Sequence, residues 1–190
     1  MHGMTVGFAL CGSFCTFRRV IPQMRALAES GARVVPILSE TAFGTDTRFG
    51  KAEDFRREIE EICQKEIIHT LPGAEPIGPK KLLDLLIVAP CTGNTLGKLA
   101  AGVTDSCVTL AAKAHLRNER PLLLAVSTND ALSGSAESIG RLLGRKHVFF
   151  VPMGQDDPEG KPTSVVADFA RLPDAAALAL QGRQIQPLLV

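Results

Sequence analysis

The sequence has no tryptophan and no tyrosine, so aromatic stacking would depend on its nine phenylalanines. Proteins that bind single-stranded nucleic acid usually stack bases on aromatic side chains. The 21 basic and 20 acidic residues nearly cancel, which leaves no excess of positive charge for phosphate backbones or acidic membranes. We therefore expect no nucleic-acid partner and no membrane partner.

The chain also lacks a hydrophobic run of the ~20 residues that a membrane-spanning helix needs. Residues 1–4 form too short and too polar a stretch for a secretion signal. The five cysteines are odd in number and irregularly spaced, without a Cys-x-x-Cys pair, so neither a disulfide framework nor a metal site is expected. These features favour a cytoplasmic location and reduced thiols.

Short apolar runs alternate with segments of helical periodicity along the chain. The apolar runs predict strands at 5–10, 33–38, 85–89, 122–126 and 148–151. The helical periodicity predicts helices at 18–30, 52–65, 95–101, 106–116, 135–143 and 174–181. Strands that are apolar on both faces and alternate with helices are typical of a parallel sheet covered on both sides. We therefore expect a single domain, 1–190, of the α/β class, with a Rossmann-like three-layer α/β/α fold and a mostly parallel central sheet.

Four loops rich in small and hydroxyl residues follow the predicted strands, where a parallel sheet binds its ligands. In the first loop, Gly12 allows close approach of the backbone and Ser13 offers a hydroxyl, which suits a phosphate. The chain has no G-x-G-x-x-G fingerprint, so a mononucleotide fits better than a dinucleotide. The predicted cofactor-binding residues of the four loops are Gly12, Ser13, Phe14, Ser39, Thr41, Pro90, Thr92, Asn94, Thr95, Ser127 and Thr128.

Each of these loops also has a purely structural interpretation. Ser13 and Asn94 are typical helix N-caps, and Ser39 and Thr41 are typical turn or cap residues. The polar loop 154–163 is long for a simple connection, which suggests a functional role. The apolar tail 185–190 is expected to dock on its own domain or on a neighbouring one.

The motifs resemble a known family when they are taken together. A Gly-Ser loop is followed by Pro90-Cys91-Thr92-Gly93-Asn94-Thr95 and then by the segment GKLAAGVTD at 97–105. This arrangement is similar to the flavoprotein family of homo-oligomeric FMN-containing cysteine decarboxylases. The resemblance covers about residues 4–150. It implies the flavoprotein fold, FMN as cofactor, and a homo-oligomer (trimer or dodecamer) with flavin sites at subunit contacts.

Two departures distinguish the chain from the decarboxylases. Pro76 stands where that family has its catalytic histidine, eight residues before Asp84. The decarboxylase substrate motif would fall around Asn129, where only the asparagine is kept and the tryptophan is absent. Seven segments, which include residues 90–94 of the motif above, resemble the family of dipicolinate synthase B subunits. These segments are TRFG (47–50), EPIGP (75–79), PCTGN (90–94), AAKAHLRN (111–118), STNDAL (127–132), GQDDP (154–158) and LQGRQIQP (180–187).

This second resemblance implies a protein that acts in the mother cell of a sporulating bacterium with the dehydrogenase-like A subunit of dipicolinate synthase, which would carry NAD(P). The pair would convert dihydrodipicolinate, or its hydrated precursor, to dipicolinate, and a flavin can accept the hydride removed. The substrate is a small dicarboxylate, so Arg48 and Lys161, on loops, are predicted to bind its carboxylates. Asn94 and Asn129 are predicted to be catalytic.

Two other functions remain open from the sequence. One is an FMN-dependent decarboxylase or a flavin prenyltransferase-like enzyme, although Pro76 argues against the former. The other is a non-catalytic partner subunit that has lost flavin. His69, His115 and His147 are the remaining acid–base candidates, and a structural role is expected for each.

Overall fold

A computed structural model describes all residues, 1–190. Seven strands form one sheet, and helices cover both of its faces. The strands are β1 (Thr5–Leu10), β2 (Arg33–Leu38), β3 (Leu85–Cys91), β4 (Leu122–Thr128), β5 (Val148–Phe150), β6 (Met153–Gly154) and β7 (Val165–Ala167). The α-helices are α1 (Phe17–Glu29), α2 (Glu40–Gly44), α3 (Ala52–Cys63), α4 (Leu71–Ala74), α5 (Gly93–Ala101), α6 (Cys107–Leu116), α7 (Ala136–Leu143) and α8 (Leu172–Ala179).

The sheet is mostly parallel, which confirms the expectation from the sequence. Strands β2, β1, β3 and β4 lie side by side in parallel, and β5 pairs in parallel with the first half of β4. The end of β4 pairs instead with the antiparallel β7, and β7 pairs with β6. The chain passes from β1 outward to β2 and then returns to β3 on the other side of β1. This reversal makes a topological switch point at the carboxyl ends of β1 and β3.

Alternation along the strands divides the core into two layers. On β1, Val6, Phe8 and Leu10 share a core with α1, α3 and α8. Ala9, together with Cys11 just beyond the strand, lies in the opposite layer with α5, α6 and α7. Burial on both faces explains why the strands read as continuous apolar runs. None of the helices has the length and apolar character needed to cross a bilayer.

Several elements differ from the predictions at their ends. The third strand continues to Cys91 and the fourth to Thr128, while the helix predicted from 95 begins at Gly93 and the last helix begins at Leu172. The apolar tail lies on its own chain, because the Met153 N–H donates to the Leu188 carbonyl (2.9 Å). The tail thereby covers the outer edge of β6.

Candidate functional site

A cavity of about 870 Å³ opens at the carboxyl ends of β1, β3 and β4, beside the switch point. Its size lies within the range of about 300–1,000 Å³ that small-molecule sites occupy. The loop between β6 and β7, residues 155–164, contributes one wall, and the segment 47–49 contributes another. The lining residues are Gly12, Ser13, Phe14, Cys15, Thr16, Arg19, Thr47, Arg48, Phe49, Thr92, Gly93, Asn94, Ser127, Thr128, Asn129, Asp130, Asp156, Lys161 and Val166.

The loop after β1 presents backbone donors to the cavity. The N–H groups of Gly12, Phe14 and Cys15 have no acceptor within the protein. The Ser13 hydroxyl lies 2.8 Å from the Ser127 hydroxyl and joins this loop to the end of β4. Successive free amides in a tight loop form a concave site for an anion. The loop therefore has the donors that a phosphate requires.

Ser13 does not cap α1, so that alternative interpretation is wrong. A short 3-10 helix (Phe14–Thr16) separates it from α1, and the Ser13 side chain makes no capping hydrogen bond. The residue immediately before α1 is Thr16, whose hydroxyl donates to the Ser13 carbonyl (2.8 Å). The Ser13 hydroxyl is therefore directed to the cavity rim rather than used for helix capping.

In the loop after β3, the residue that caps α5 is Thr92, not Asn94. The Thr92 hydroxyl accepts a hydrogen bond from the Thr95 N–H (3.4 Å). The N–H groups of Gly93 and Asn94 have no acceptor in the protein, and the exposed Asn94 side chain makes no hydrogen bond. The N-terminus of α5 therefore offers the cavity a second group of donors, next to a free amide side chain.

The loop after β4 is organised around Asp130. The hydroxyls of Thr128 and Ser135 (2.8 Å for the latter) both donate to Asp130 Oδ1, and these hydrogen bonds lower the pKa of its carboxyl group. The carbonyl of Asn129 accepts a hydrogen bond from the Thr163 hydroxyl (2.6 Å). The side-chain amide of Asn129 has no partner in the protein, so it remains available to a ligand.

Cations outnumber carboxylates on the cavity walls. Arg19, Arg48 and Lys161 line it, against Asp130 and Asp156. The Arg48 guanidinium lies over the Phe49 ring, 4.9 Å from its centroid, and Lys161 Nζ lies 3.4 Å from Asp156 Oδ2. A site with this balance of charge favours an anionic ligand. The structure thus brings both predicted substrate-binding residues to the same cavity as Asn94 and Asn129.

Four of the predicted cofactor-binding residues do not line the cavity. Ser39 caps α2 by accepting from the Ala42 N–H (3.2 Å), and Thr41 is exposed on that helix. Pro90 is buried inside β3, and the buried Thr95 hydroxyl donates to Cys11 Sγ (3.2 Å). Thr95 thereby contacts the residue before Gly12, and direct binding by any of these four residues stays a prediction.

Two charged residues that line the cavity are not among the site residues predicted from the sequence. Arg19 lies in the first turns of α1, behind the Gly-Ser loop, and Asp156 lies in the GQDDP segment. The general rule that ligands bind in loops after parallel strands does not include either position. For Asp156, the only indication in the sequence is that the polar loop 154–163 is long for a simple connection.

The histidines lie away from the cavity, and the cysteines beneath it are protonated. His115 is buried, its Nε2–H donates to the Pro121 carbonyl (2.9 Å), and burial lowers its pKa to about 4. His69 stacks on Phe43 at 3.6 Å between ring centroids. Burial raises the pKa of the Cys11 thiol to about 11 and also raises that of Cys91. None of these groups has the position and protonation state of a nucleophile or base for this site.

Comparisons with known proteins point in one direction. The family model named Flavoprotein matches residues 1–141. The B subunit of dipicolinate synthase from Bacillus subtilis (strain 168) is 45% identical over 190 residues, which are 100% of this chain and 95% of that protein. The crystal structure of the dipicolinate synthase B subunit from Bacillus halodurans C has a TM-score of 0.92 at 44% identity, covering 100% of this chain and 97% of that one. The FMN-dependent cysteine decarboxylase SpaF shares the fold, with a TM-score of 0.65 at 18% identity over 95% and 97% of the two chains.

Proposed function

Since the chain belongs to the Flavoprotein family, and within it to the dipicolinate synthase B subunits, we propose that it binds FMN and forms dipicolinate together with the dehydrogenase-like A subunit. The observation that carries the proposal is the loop after β1. Its three free amides and the Ser13 hydroxyl lie at the switch point of a parallel sheet. The phosphate of FMN is the group that these donors suit.

Different residues of the cavity are suited to contact the flavin ring and the substrate. The free amide side chains of Asn94 and Asn129 offer both donors and acceptors, so they can contact either the flavin ring edge or the substrate. Arg48 and Lys161 are the cations that bind the two carboxylates of the substrate. FMN, when bound, supplies an acceptor for the hydride lost as the ring becomes aromatic. The protein's task is then to hold the dianion against the cofactor.

Titration of the purified chain with FMN and with riboflavin tests the cofactor assignment. Riboflavin lacks the phosphate, so we expect it to bind at least tenfold more weakly. Ser13→Ala removes one hydrogen bond to a charged group and should weaken FMN binding by about tenfold or more, while leaving riboflavin binding nearly unchanged. Ser138→Ala is the matched control, because Ser138 lies on α7 outside the cavity and its hydroxyl makes no hydrogen bond.

Reconstitution tests the reaction. Dipicolinate, followed by its ultraviolet absorbance, should form when the FMN-loaded chain, the dehydrogenase-like partner and the dihydrodipicolinate precursor are combined. It should not form when this chain is omitted. Undiminished product without this chain would contradict the proposal. A chain that cannot be loaded with FMN, yet is needed for product, would instead favour a non-catalytic partner role.

A further inference from the structure

The loop 155–164, which forms one wall of the cavity, is fixed by hydrogen bonds at several points. Within it, the Lys161 N–H donates to the Asp157 carbonyl (2.8 Å) and the Ser164 N–H donates to the Lys161 carbonyl (3.0 Å). The Thr163 hydroxyl and carbonyl bind the backbone of the loop after β4, at Asn129 (2.6 Å) and Leu132 (3.0 Å). The backbone that carries Lys161 is therefore held in place beside a candidate catalytic residue.

The side chain of Lys161 has its own anchor. Asp156 Oδ2 lies 3.4 Å from Lys161 Nζ. Asp156 Oδ1 accepts a 2.6 Å hydrogen bond from the hydroxyl of Ser164, which is fully buried at 0% exposure. The hydrogen bond from Ser164 is the largest cause that lowers the pKa of the Asp156 carboxyl group, with Lys161 adding to it. A buried hydroxyl thus holds a carboxylate, and the carboxylate holds the lysine.

The ammonium group still has donors to spare. It carries three N–H donors, and Asp156 takes one. The Lys161 side chain is 50% exposed and lines the cavity, so the remaining donors are accessible to a ligand. A free lysine loses much rotamer freedom when it binds an anion. An anchored lysine has lost part of that freedom beforehand, which favours binding.

We propose that Asp156, held by Ser164, is a positioning residue that sets the Lys161 ammonium to bind one carboxylate of a planar dicarboxylate, so that the site selects two-carboxylate over one-carboxylate ligands. This inference rests on the proposed function, in which Arg48 receives the other carboxylate. It adds that selectivity depends on a cavity carboxylate that acts through Lys161 and not by binding the substrate itself. The alternative role for Asp156 predicts the opposite result. If Asp156 only neutralised the charge of Lys161, replacing Asp156 would strengthen the binding of a dianion.

Calorimetric titration of the full chain, saturated with FMN, tests the inference with pyridine-2,6-dicarboxylate and pyridine-2-carboxylate as probes. We expect the wild-type chain to bind the dicarboxylate about tenfold more tightly or better, as one extra charge-assisted pair allows. The selectivity is the dissociation constant of the monocarboxylate divided by that of the dicarboxylate, and Lys161→Met should bring it close to one. Asp156→Asn and Ser164→Ala should each lower this selectivity part of the way. Asp156→Glu, which keeps the carboxylate, should be more selective than Asp156→Asn.

Glu159→Gln is the matched control. It removes the same charge from the same loop, but Glu159 makes no hydrogen bond and does not line the cavity. The Glu159→Gln variant should prefer the dicarboxylate to the same extent as the wild type. FMN affinity should be the same in all variants. An unchanged or tighter dicarboxylate affinity in Asp156→Asn, with wild-type selectivity intact, would overturn this inference alone. A wild-type chain that binds neither probe would overturn the proposed function and this inference with it.

Discussion

Gly93, the first residue of α5, has three polar side chains packed around its α-carbon. A Cβ atom built there would lie 2.7 Å from both Ser135 Oγ and Thr128 Oγ1, and 2.8 Å from Asp130 Oδ1. Those three side chains are joined by the hydrogen bonds that hold the Asp130 carboxylate. Because Gly93 has no Cβ atom, the loops after β3 and β4 can approach each other closely at the cavity.

Gly93→Ala is expected to destabilise the protein by about 1–3 kcal/mol, because the added methyl group displaces polar atoms that are already paired. It should also weaken FMN binding, since the displaced loops line the cavity. Gly97→Ala is the control on the same helix, where the new Cβ meets only Ser138 Oγ at 4.0 Å. This control should gain about 0.5–1 kcal/mol from better helix propensity. Urea denaturation and FMN titration measure both effects, and equal stability of the two variants would contradict the steric argument.

At the scale of elements, Asp84 joins the beginnings of three strands at the end of the sheet opposite the cavity. Its Oδ2 accepts from the Thr5 N–H (2.8 Å), where β1 starts. Its Oδ1 accepts from Arg120 Nη1 (2.9 Å), which lies just before β4 and also donates to the Leu83 carbonyl. Asp84 itself lies immediately before β3. One carboxylate thus fixes the starting points of β1, β3 and β4.

Asp84→Ala should lower the free energy of unfolding by about 1–3 kcal/mol, because it leaves the Thr5 amide without an acceptor and the Arg120 guanidinium without its carboxylate partner. FMN affinity should not change, since the cavity lies at the other end of these strands. Lys146→Ala removes an exposed ion pair with Glu119, at 4.0 Å, and should change stability by less than about 0.5 kcal/mol. Thermal unfolding of both variants gives the comparison. A loss for Asp84→Ala no larger than for Lys146→Ala would exclude the proposed strand junction.

The sequence could predict the long elements but not the short ones. The first two strands have the predicted limits, because each begins at a polar residue, Thr5 or Arg33, and continues through five residues that are apolar or glycine. Strands β6 and β7 have two and three residues, and helices α2 and α4 have five and four. Segments this short span hardly more than one period of hydrophobicity, so no repeating pattern can be recognised and only their tertiary partners define them. β7, for example, exists because it pairs with the end of β4.

The same limit applies to the site. The loops around Ser13, Asn94 and Asn129 could be predicted to converge, because parallel strands bring their carboxyl ends to one edge of the sheet. The sequence allows Ser39 to be either a cavity residue or a helix cap, and only the structure shows that it caps α2. Nothing in the sequence could show that Asp156 faces Lys161 across a turn. The first depends on a five-residue helix, and the second on the pairing of β6 with β7. The direction of a side chain from an irregular loop is decided by its tertiary contacts.

At the scale of the whole molecule, the two ends of the sheet have different roles. The carboxyl ends carry the cavity, with its free amides and exposed charges. The amino ends carry paired and buried polar groups, among them His115 on α6, which is 1% exposed. The charged groups that influence His115 are Arg120, which disfavours its protonation, and Asp84, which favours it. Stability and ligand binding can therefore be changed separately.

The pH dependence of stability follows from His115. Desolvation lowers its pKa in the folded chain to about 4, against 6.5 as its ordinary value. Between these values the unfolded chain binds a proton that the folded chain does not, so stability is complete above about pH 6.5 and falls as the pH drops toward 4. The loss from pH 7.5 to pH 5 should be about 2 kcal/mol from this residue. His115→Gln retains a donor for the Pro121 carbonyl but cannot titrate, so its urea-unfolding free energy should fall by about 2 kcal/mol less over the same interval. Parallel pH profiles for the variant and the wild type would mean that the histidine is protonated without cost in the fold.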